Sequence, residues 1–269
     1  QCFIMLGYCY AVHAPFKFGL QNIPKASRIC MLAHAKAVKV IRKYAKTPPK
    51  IGIAMAAGAF IPQTESKEEI EKARYKSFNS GIGLMNNRWW SDPILLGKPV
   101  TAYGVFKTHE RDMAEIYQPL DFVGLNVYQP YGVSKRKLDD SQKTSMGWAI
   151  DGDVLYWTIR FYSERYHLPV MVTENGMAGN DCVGADGKVH DEKRIAFLRD
   201  YLGGVKRAVN EGIDVLGYQH WSLMDNFEWT HGYTPRFGLI HIDYKTQKRT
   251  LKNSAYFYKK VIESNGEIL

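Results

Sequence analysis

Cysteine is scarce in this sequence, and no two cysteines stand at a metal-binding spacing. Four of the 269 residues are cysteines, three of them within the first thirty positions, and no Cys-x-x-Cys pair occurs. A disulfide framework spread through the chain is therefore excluded, as is a cysteine-based zinc site. The pattern predicts a reduced, cytoplasmic protein.

Sequence motifs for the common cofactors and metals are also missing. The chain has no phosphate-binding GxxxxGK[ST] loop, its eight histidines form no HExxH, and no GxSxG elbow marks a serine hydrolase. We therefore expect no cofactor and no metal.

Acidic residues are outnumbered by basic ones, but without the signature of a nucleic-acid-binding protein. Lysine plus arginine total 36 against 27 for aspartate plus glutamate, which gives a net charge of +9. Such an excess can indicate an anionic partner. Here the charge is spread over short groups that we interpret as solvated surface, such as KYAKTPPK, SKRKLDD and KTQKRTLK. No nucleic-acid partner is expected.

Apolar runs long enough to cross a membrane are absent, so no membrane association is expected. The opening QCFIMLGYCYAVHAPF is apolar, but it is shorter than a span and lacks the basic start of a signal peptide. We interpret it as a buried segment. A chain that begins at Gln1 with such a segment is expected to have once been preceded by further sequence.

What the sequence does contain is an alternation of strand and helix patterns. A hydrophobic content of 45% is enough for a substantial core, and residues 1–269, which contain no linker, are expected to form a single domain. Apolar runs predict strands buried on both faces, and spacings of three and four predict helices. The strands are predicted at 50–58, 121–128, 168–175 and 214–223, and helices at 29–44 and 195–209.

Three local patterns complete the predicted fold. Ser66 and Glu69 form a capping box that opens another helix, residues 233–249 alternate like a β-hairpin, and residues 253–265 predict a final helix. Strands that alternate with helices indicate parallel βα units. A complete eight-stranded barrel takes about 250 residues, but only four units are found, which is half of a (β/α)8 barrel.

The stretch PVMVTENGM ends a predicted buried strand on Glu174. In parallel βα folds the functional groups lie where strands end and loops begin. An exposed Asn-Gly turn is the alternative, but no second strand follows, and a loop rich in Gly, Asn and Asp leads instead to a helix near His190. Glu174 is therefore predicted to be a functional carboxylate at the carboxyl end of the strand, where the loop begins.

The next predicted strand ends in HWSLMDNFEWTHGY, which brings indoles, carboxylates and an amide into one loop. The C–H faces of sugars lie against indole rings, and carboxylates and amides bind pairs of hydroxyls. A buried aromatic corner is the alternative, but it explains Glu228 between two aromatic residues poorly. The members of this predicted sugar site are Trp221, Asp225, Asn226, Glu228 and Trp229.

A third strand end, VGLNVYQPY, offers Asn126 and Tyr128 on the same side of the strand. A strand tyrosine usually belongs to the core. Beside a carboxylate, however, a tyrosine donates a hydrogen bond that favours the ionised form.

The chain resembles glycoside hydrolase family 1, the β-glucosidase family, in the order and spacing of VTENG, WSLMDNFEW and GYTPRFGLIHIDYKTQKRTLKNSAYFYKKVI. The segments NNRWWSDPILLG, QPLDFVGLNVY and RYHLPVMVTENGMA extend the resemblance to nearly the whole chain. It implies a (β/α)8 TIM barrel, of which this chain is the C-terminal half, strands 5 to 8 with their helices. It also implies a retaining mechanism with two glutamates, and Glu174 matches the nucleophile.

The resemblance implies roles for the other candidate residues. Tyr128 matches the tyrosine that orients the nucleophile, with Asn126 nearby. Trp221 matches the sugar platform, and Glu228 with Trp229 matches the pair that binds the hydroxyls of the non-reducing sugar. Because the branch that acts on 6-phosphorylated sugars usually departs from Phe-Glu-Trp, the implied substrate is an unphosphorylated β-glucoside or oligosaccharide.

The start of the chain departs from the family pattern. QCFIMLGY followed by VHAP resembles what comes directly after the Asn-Glu-Pro motif that carries the acid/base glutamate, so that glutamate is expected to be missing. Sheet edges at 50–58 and 214–223 would be open, and a missing N-terminal half or a second copy would complete the barrel. The alternative function is a catalytically inactive half-barrel that self-associates or binds sugars weakly.

Overall fold

The computed structural model describes residues 1–79, 84, 86–108, 110–132 and 139–269, so that SKRKLDD lies almost entirely outside the described residues. The helices are α1 (Cys2–Tyr8), α2 (Ile23–Tyr44), α3 (Lys67–Asn79), α4 (Asn87–Leu96), α5 (Glu110–Ile116), α6 (Asp153–Tyr166), α7 (Glu192–Asn210) and α8 (Asn253–Glu263). The strands are β1 (Gly52–Ala56), β2 (Thr101–Ala102), β3 (Phe106–Lys107), β4 (Phe122–Asn126), β5 (Val170–Asn175), β6 (Val215–His220), β7 (Ile240–Ile242) and β8 (Arg249–Leu251). Short 3-10 helices lie at Leu20–Asn22, Asp140–Gln142 and Trp229–His231.

The chain divides into two compact units, and β4 and β5 each continue from the first into the second. The first unit contains Gln1–Ala57, Pro62–Leu125 and Tyr162–Val170, and the second contains Gly58–Ile61, Asn126–Phe161 and Met171–Leu269. The prediction of a single domain over residues 1–269 stays a prediction. None of the helices in the described part combines the length and the apolar composition needed to span a membrane.

The four strands predicted from apolar runs are β1, β4, β5 and β6, and they form one sheet in the order β1-β4-β5-β6. Hydrogen bonds between β4 and β5 advance in the same direction along both strands. The Val123 amide donates to the Pro169 carbonyl at 2.9 Å, and the Val127 amide donates to the Glu174 carbonyl at 2.9 Å. The predicted parallel arrangement is therefore confirmed for this pair.

The prediction that every strand is buried on both faces is correct for β4, holds for one face of β5, where Val170 and Val172 are buried, and is wrong for the end strands β1 and β6. In β4 the three central residues are buried, whereas none of the six residues of β6 is fully buried and Leu216 is 53% exposed. In β1 only Met55 is buried. The end strands are more exposed because each has a neighbouring strand on one side only.

The predicted helices are confirmed, with small changes at their ends. The pattern at 29–44 belongs to α2, which begins earlier, at Ile23, with a proline in its first turn. The capping box is half formed, since the Glu69 amide donates to Ser66 Oγ at 3.3 Å while the Glu69 carboxylate pairs with Lys72 at 2.8 Å. The pattern at 195–209 belongs to α7.

The predicted hairpin at 233–249 exists, but its strands begin later. β7 and β8 pair antiparallel with Ile240 opposite Leu251. The residues before β7 pair elsewhere, because Arg236 forms an antiparallel bridge with Gly179. The alternating pattern thus correctly predicted that the chain is extended here, but it did not predict which segment the chain pairs with.

In the second unit, α7 and α8 pack together over a small apolar cluster. Leu198, Leu202, Leu239 and Val261 form its buried part, and Tyr218 of β6 packs against it. This cluster packs β6 and the residue before β7 against the two helices.

We expect Leu198→Ala to lower the free energy of unfolding by about 2–5 kcal/mol, because Leu198 is fully buried and its loss leaves a cavity. Leu216→Ala is the matched control and should change stability by about 0.5 kcal/mol or less, since Leu216 is 53% exposed. Urea unfolding followed by circular dichroism compares the two variants. Equal effects would contradict the packing described.

Candidate functional site

Glu174 lies near the carboxyl end of β5, where Tyr128 donates a hydrogen bond to it. The distance from Tyr128 Oη to Glu174 Oε2 is 2.7 Å. The backbone sets this contact, since the Val127 amide bonds the Glu174 carbonyl and thereby fixes the register between the chain just after β4 and the end of β5. The carboxylate and the phenol that sequence patterns singled out separately are thus direct partners.

The Tyr128 ring is held by two aromatic residues that the sequence analysis did not identify. Its centroid lies 5.5 Å from that of Trp148 and 6.4 Å from that of Phe237, both edge-to-face. The Tyr201 hydroxyl also donates to the Tyr128 carbonyl at 3.2 Å. These contacts leave the Tyr128 hydroxyl little freedom to move away from Glu174.

The residues on either side of Glu174 fix its position. Thr173 Oγ1 donates to Asn126 Oδ1 at 2.6 Å, and the buried Asn175 side chain donates to the Val127 carbonyl at 2.7 Å and accepts from the Tyr218 hydroxyl at 2.8 Å. Asn175 is fully buried, so the alternative of an exposed Asn-Gly turn is wrong.

Gly176 allows the loop after β6 to approach the end of β5. A Cβ atom there would lie 1.8 Å from the Trp221 carbonyl oxygen, which no side chain tolerates. The Trp221 amide in turn donates to the Asn175 carbonyl at 2.8 Å. Each member of the Glu-Asn-Gly sequence therefore has its own role: the first presents a carboxylate, the second anchors the strand end, and the third admits Trp221.

Glu228 lies where the loop after β6 begins its 3-10 turn, with its amide bonded to the Gly232 carbonyl at 2.7 Å. Desolvation raises the pKa of the Glu228 carboxyl, the charge of His231 lowers it, and the negative charge of Glu174 raises it further. The two carboxylates are therefore close enough to interact.

The aromatic residues beside Glu228 face solvent. Phe227 is 59% exposed and Trp229 is 62% exposed, whereas Trp221 is partly buried. The alternative of a buried aromatic corner is therefore wrong. Trp229 also has a φ of 46°, a left-handed conformation that costs free energy in a bulky residue and is found more often at functional sites.

Asp225 does not join the sugar-type site but lies in a buried network of charges. Its carboxylate accepts from Lys252 Nζ at 2.9 Å and from Arg236 Nη1 at 3.0 Å. Lys252, which we interpreted as solvated, is fully buried and also pairs with Asp181 at 2.6 Å. The interpretation was wrong because the partners of Lys252 lie 27 and 71 residues away in the sequence.

Arg194 and Asp191 extend this network to the first turns of two helices. Arg194, 1% exposed, pairs with Asp191 at 3.0 Å and also with Asp181. Asp191 accepts from the Ser254 amide at 2.8 Å and from Ser254 Oγ at 2.5 Å. Three aspartates and three cations thus join the loop after β5, the loop after β6 and the starts of α7 and α8.

Neutral imidazoles flank the network. Desolvation, and then the positive charge of Arg194, lower the pKa of His220 to about 3. Desolvation also lowers the pKa of His241, with a further contribution from the Arg236 charge. Both histidines therefore stay uncharged beside the buried cations at neutral pH.

A cleft of about 770 Å³ lies beside the loop that follows β5, but none of the eight predicted site residues lines it. Its walls come from residues 143–147 and 177–194. The chemistry of the candidate site is thus concentrated at Glu174, and the cleft is a separate feature of the same loop.

Comparison with known proteins gives consistent matches over nearly the whole chain. A family model described as Glycosyl hydrolase family 1 matches residues 1–267. Beta-glucosidase A of Thermotoga maritima and the 1,4-beta-D-glucan glucohydrolase of Thermotoga neapolitana are each 40% identical over 277 residues, covering 97% of this chain and 61% of each relative. The chain therefore spans about three fifths of the length of these relatives, matching their C-terminal part.

Solved structures agree with the sequence matches. The family 1 β-glucosidase from Thermotoga maritima superposes with a TM-score of 0.83 at 36% identity, over 98% of this chain and 62% of that chain. A complex of a Thermotoga maritima β-glucosidase with deoxynojirimycin gives a TM-score of 0.81. Together with the parallel sheet and its helices, these matches confirm the predicted fold, part of a (β/α)8 barrel.

We expect Lys252→Met to lower the free energy of unfolding by about 3–5 kcal/mol, because it leaves two buried aspartates without their shared cation. Lys248→Met, at an exposed position of the same segment, is the matched control and should have little effect. Adding Asp225→Asn to Lys252→Met should cost less than the sum of the two changes, since one uncompensated charge is removed. Thermal unfolding checks all three. If Lys252→Met behaved like Lys248→Met, the network would not stabilise the fold.

Proposed function

The chain belongs to glycosyl hydrolase family 1, and we propose that it supplies the C-terminal part of a retaining β-glucosidase acting on unphosphorylated, terminal non-reducing β-D-glucosyl residues. The observation that carries the proposal is the 2.7 Å hydrogen bond from Tyr128 to Glu174 at the end of β5. The names of the relatives, beta-glucosidase A and 1,4-beta-D-glucan glucohydrolase, support the substrate class.

Glu174 is the nucleophile in this proposal. Tyr128 engages Oε2, which orients the carboxylate and leaves Oε1 to attack the anomeric carbon. The glycosidic C–O bond breaks as an ester bond to Glu174 forms, and the leaving oxygen takes a proton from a general acid. Water then cleaves the ester with the help of the same group acting as a base, and the carboxylate is restored.

The loop after β6 binds the sugar in this proposal. Trp221 provides an apolar platform for the C–H face of the ring, and Glu228 with Trp229 binds its hydroxyls. A partly desolvated carboxylate gains more from a pair of hydroxyl donors than a fully solvated one does, because it gives up fewer hydrogen bonds to water. Asn126, held by Thr173, contributes an amide near the nucleophile.

The acid/base glutamate comes from outside this chain in our proposal. Retaining hydrolases need a second carboxyl group about 5 to 5.5 Å from the nucleophile, and Glu228 is assigned to sugar hydroxyls. About two fifths of the relatives' length lies outside the match. A polypeptide that corresponds to this N-terminal part, or a second copy of the chain, would complete the barrel and supply the acid/base. The cytoplasmic location stays a prediction.

We expect a 2-fluoroglucoside with a dinitrophenolate leaving group to label Glu174 in any preparation in which the barrel is complete. Tyr128→Phe should slow labelling by about 10- to 100-fold, because the carboxylate loses the donor that orients it. Tyr156→Phe is the matched control, since it removes a comparable hydrogen bond from Tyr156 to Glu211 at 2.6 Å and should not change the rate. Peptide mass spectrometry identifies the labelled residue. Labelling of another carboxylate with Glu174 left free would refute the assignment.

We expect Glu228→Gln to gain stability relative to the wild type as the pH rises. Because the pKa of Glu228 is raised in the folded chain, the folded state binds this proton to a higher pH than the unfolded state does. Stability is then lost as the pH rises from the usual carboxyl range through the raised pKa, and glutamine removes this loss. Unfolding at about pH 4 and about pH 8 measures the difference.

The control for Glu228→Gln is Glu68→Gln, at an exposed glutamate, which should show no such pH dependence. In a completed barrel, Glu228→Gln should also weaken glucoside binding by about tenfold, since a charge-assisted hydrogen bond is lost. A variant that kept its affinity would remove Glu228 from the sugar site.

We expect the chain alone to react with an activated aryl glucoside in a single burst and then to stall. An acidic phenol leaves without protonation, but general base catalysis of the second step, worth about 10²- to 10⁴-fold, is missing. Azide needs no deprotonation, so it should displace the Glu174 carboxylate and release a β-glycosyl azide. Efficient hydrolysis of cellobiose by the chain alone would mean that a carboxylate assigned here to binding acts as acid/base.

A further inference from the structure

The first unit contains a cavity of about 330 Å³ whose lining is strongly basic. Three segments form it: the 3-10 turn at Leu20–Asn22 with the first turns of α2, the strand β3 with the residue that follows it, and α5. Met31 and Ile116, each 1% exposed, belong to its apolar part. The cavity is thus a recess in the fold with a packed wall and not an open stretch of surface.

Arg28 is held in a fixed orientation on one wall of this cavity. Its Nε and Nη2 atoms donate to the two carboxylate oxygens of Asp112 at 2.6 Å and 2.9 Å. Asp112 is 8% exposed, so the carboxylate is a buried anchor. A guanidinium bound in this way by two parallel hydrogen bonds presents its remaining N–H groups in a set direction.

Further positive charge surrounds Arg28. Lys25, Lys107 and Arg111 also line the cavity, and Asp112 is the one carboxylate among its lining residues within the described chain. The lining therefore carries an excess of three positive charges. Lys25 and Lys107 are exposed, so their ammonium groups can reorient toward a ligand.

The start of α2 adds to this potential. Gln21, Pro24 and Lys25 line the cavity where the 22-residue helix begins, and its first turn contains no acidic residue. The partial positive charge of a helix N-terminus is therefore not offset locally by a carboxylate of its own first turn.

We propose that this cavity binds a small oxyanion with at least two negative charges, such as phosphate or the phosphate group of a monoester. A fixed guanidinium, two mobile ammonium groups, a second arginine and a helix N-terminus together match the several oxygens of such a group. The site lies in the first unit, whereas Glu174 and its partners lie in the second, so the proposal does not depend on the glucosidase assignment.

Isothermal titration of the purified chain with inorganic phosphate, pyrophosphate and glycerol phosphate tests the proposal. We expect saturable binding of at least one of them that weakens as sodium chloride is added. Preference for glycerol phosphate over inorganic phosphate would show that the cavity fits a phosphate monoester, and the reverse order would show that it fits the free ion. Absence of saturable binding for all three at low salt would overturn the proposal.

A pair of double variants locates the binding. Lys25→Met with Lys107→Met should weaken it by about five- to thirtyfold, because two of the lining charges are lost. Lys36→Met with Lys43→Met, at exposed positions of α2 that do not line the cavity, is the matched control and should leave the affinity unchanged. Equal effects in both double variants would assign the binding to the general positive charge of the chain and overturn the site.

Discussion

The ion pairs of Lys252 are the contacts on which the candidate site depends most. A buried charge is costly unless it is paired, and Lys252 is paired with Asp181 after β5 and with Asp225 after β6. Asp181 lies in the loop that follows Glu174, and Asp225 lies in the loop that carries Glu228. One cation therefore holds both loops at a fixed separation. Arg194 pairs with Asp181 and Arg236 pairs with Asp225, which ties the same loops to α7 and to the segment before β7. Buried ion pairs therefore position the two loops, while the aromatic contacts of Trp148 and Phe237 position Tyr128.

The two carboxylates of the proposed site have different surroundings. Glu174 accepts a hydrogen bond from a phenol that is itself held by Trp148 and Phe237. Glu228 is desolvated and is influenced by the negative charge of Glu174. Different surroundings give two identical side chains different tasks. A carboxylate held in one orientation suits attack on carbon, and a desolvated carboxylate that awaits hydroxyl donors suits binding.

Sequence patterns predicted the features that depend on neighbours along the chain. The four strands, the long helices and the position of Glu174 at a strand end all follow from local periodicity and turn residues. Tyr128 and Glu174 pair at the end of the sheet where the strand patterns placed both residues. What local patterns could not predict were contacts between distant residues: the burial of Lys252, the structural use of Asp225, and the contacts of Trp148 and Phe237 with Tyr128. Each of these depends on which loops meet in space, and a lysine inside KTQKRTLK looks the same in sequence whether it is solvated or buried.

The close approach at Gly176 determines where the chain can tolerate changes in length. A Cβ at this position would lie 1.8 Å from the Trp221 carbonyl, so neither strand end can shift by even one residue without a collision. Beyond Asp181 the constraint eases, and it resumes at Val189, which is fully buried and whose carbonyl accepts from the Asn253 amide at 3.0 Å. The stretch between Asp181 and Val189 includes exposed residues such as Cys182 and Asp186. Insertions and deletions in related chains, and peptide tags added by design, should therefore be accommodated between Asp181 and Val189 and excluded on either side.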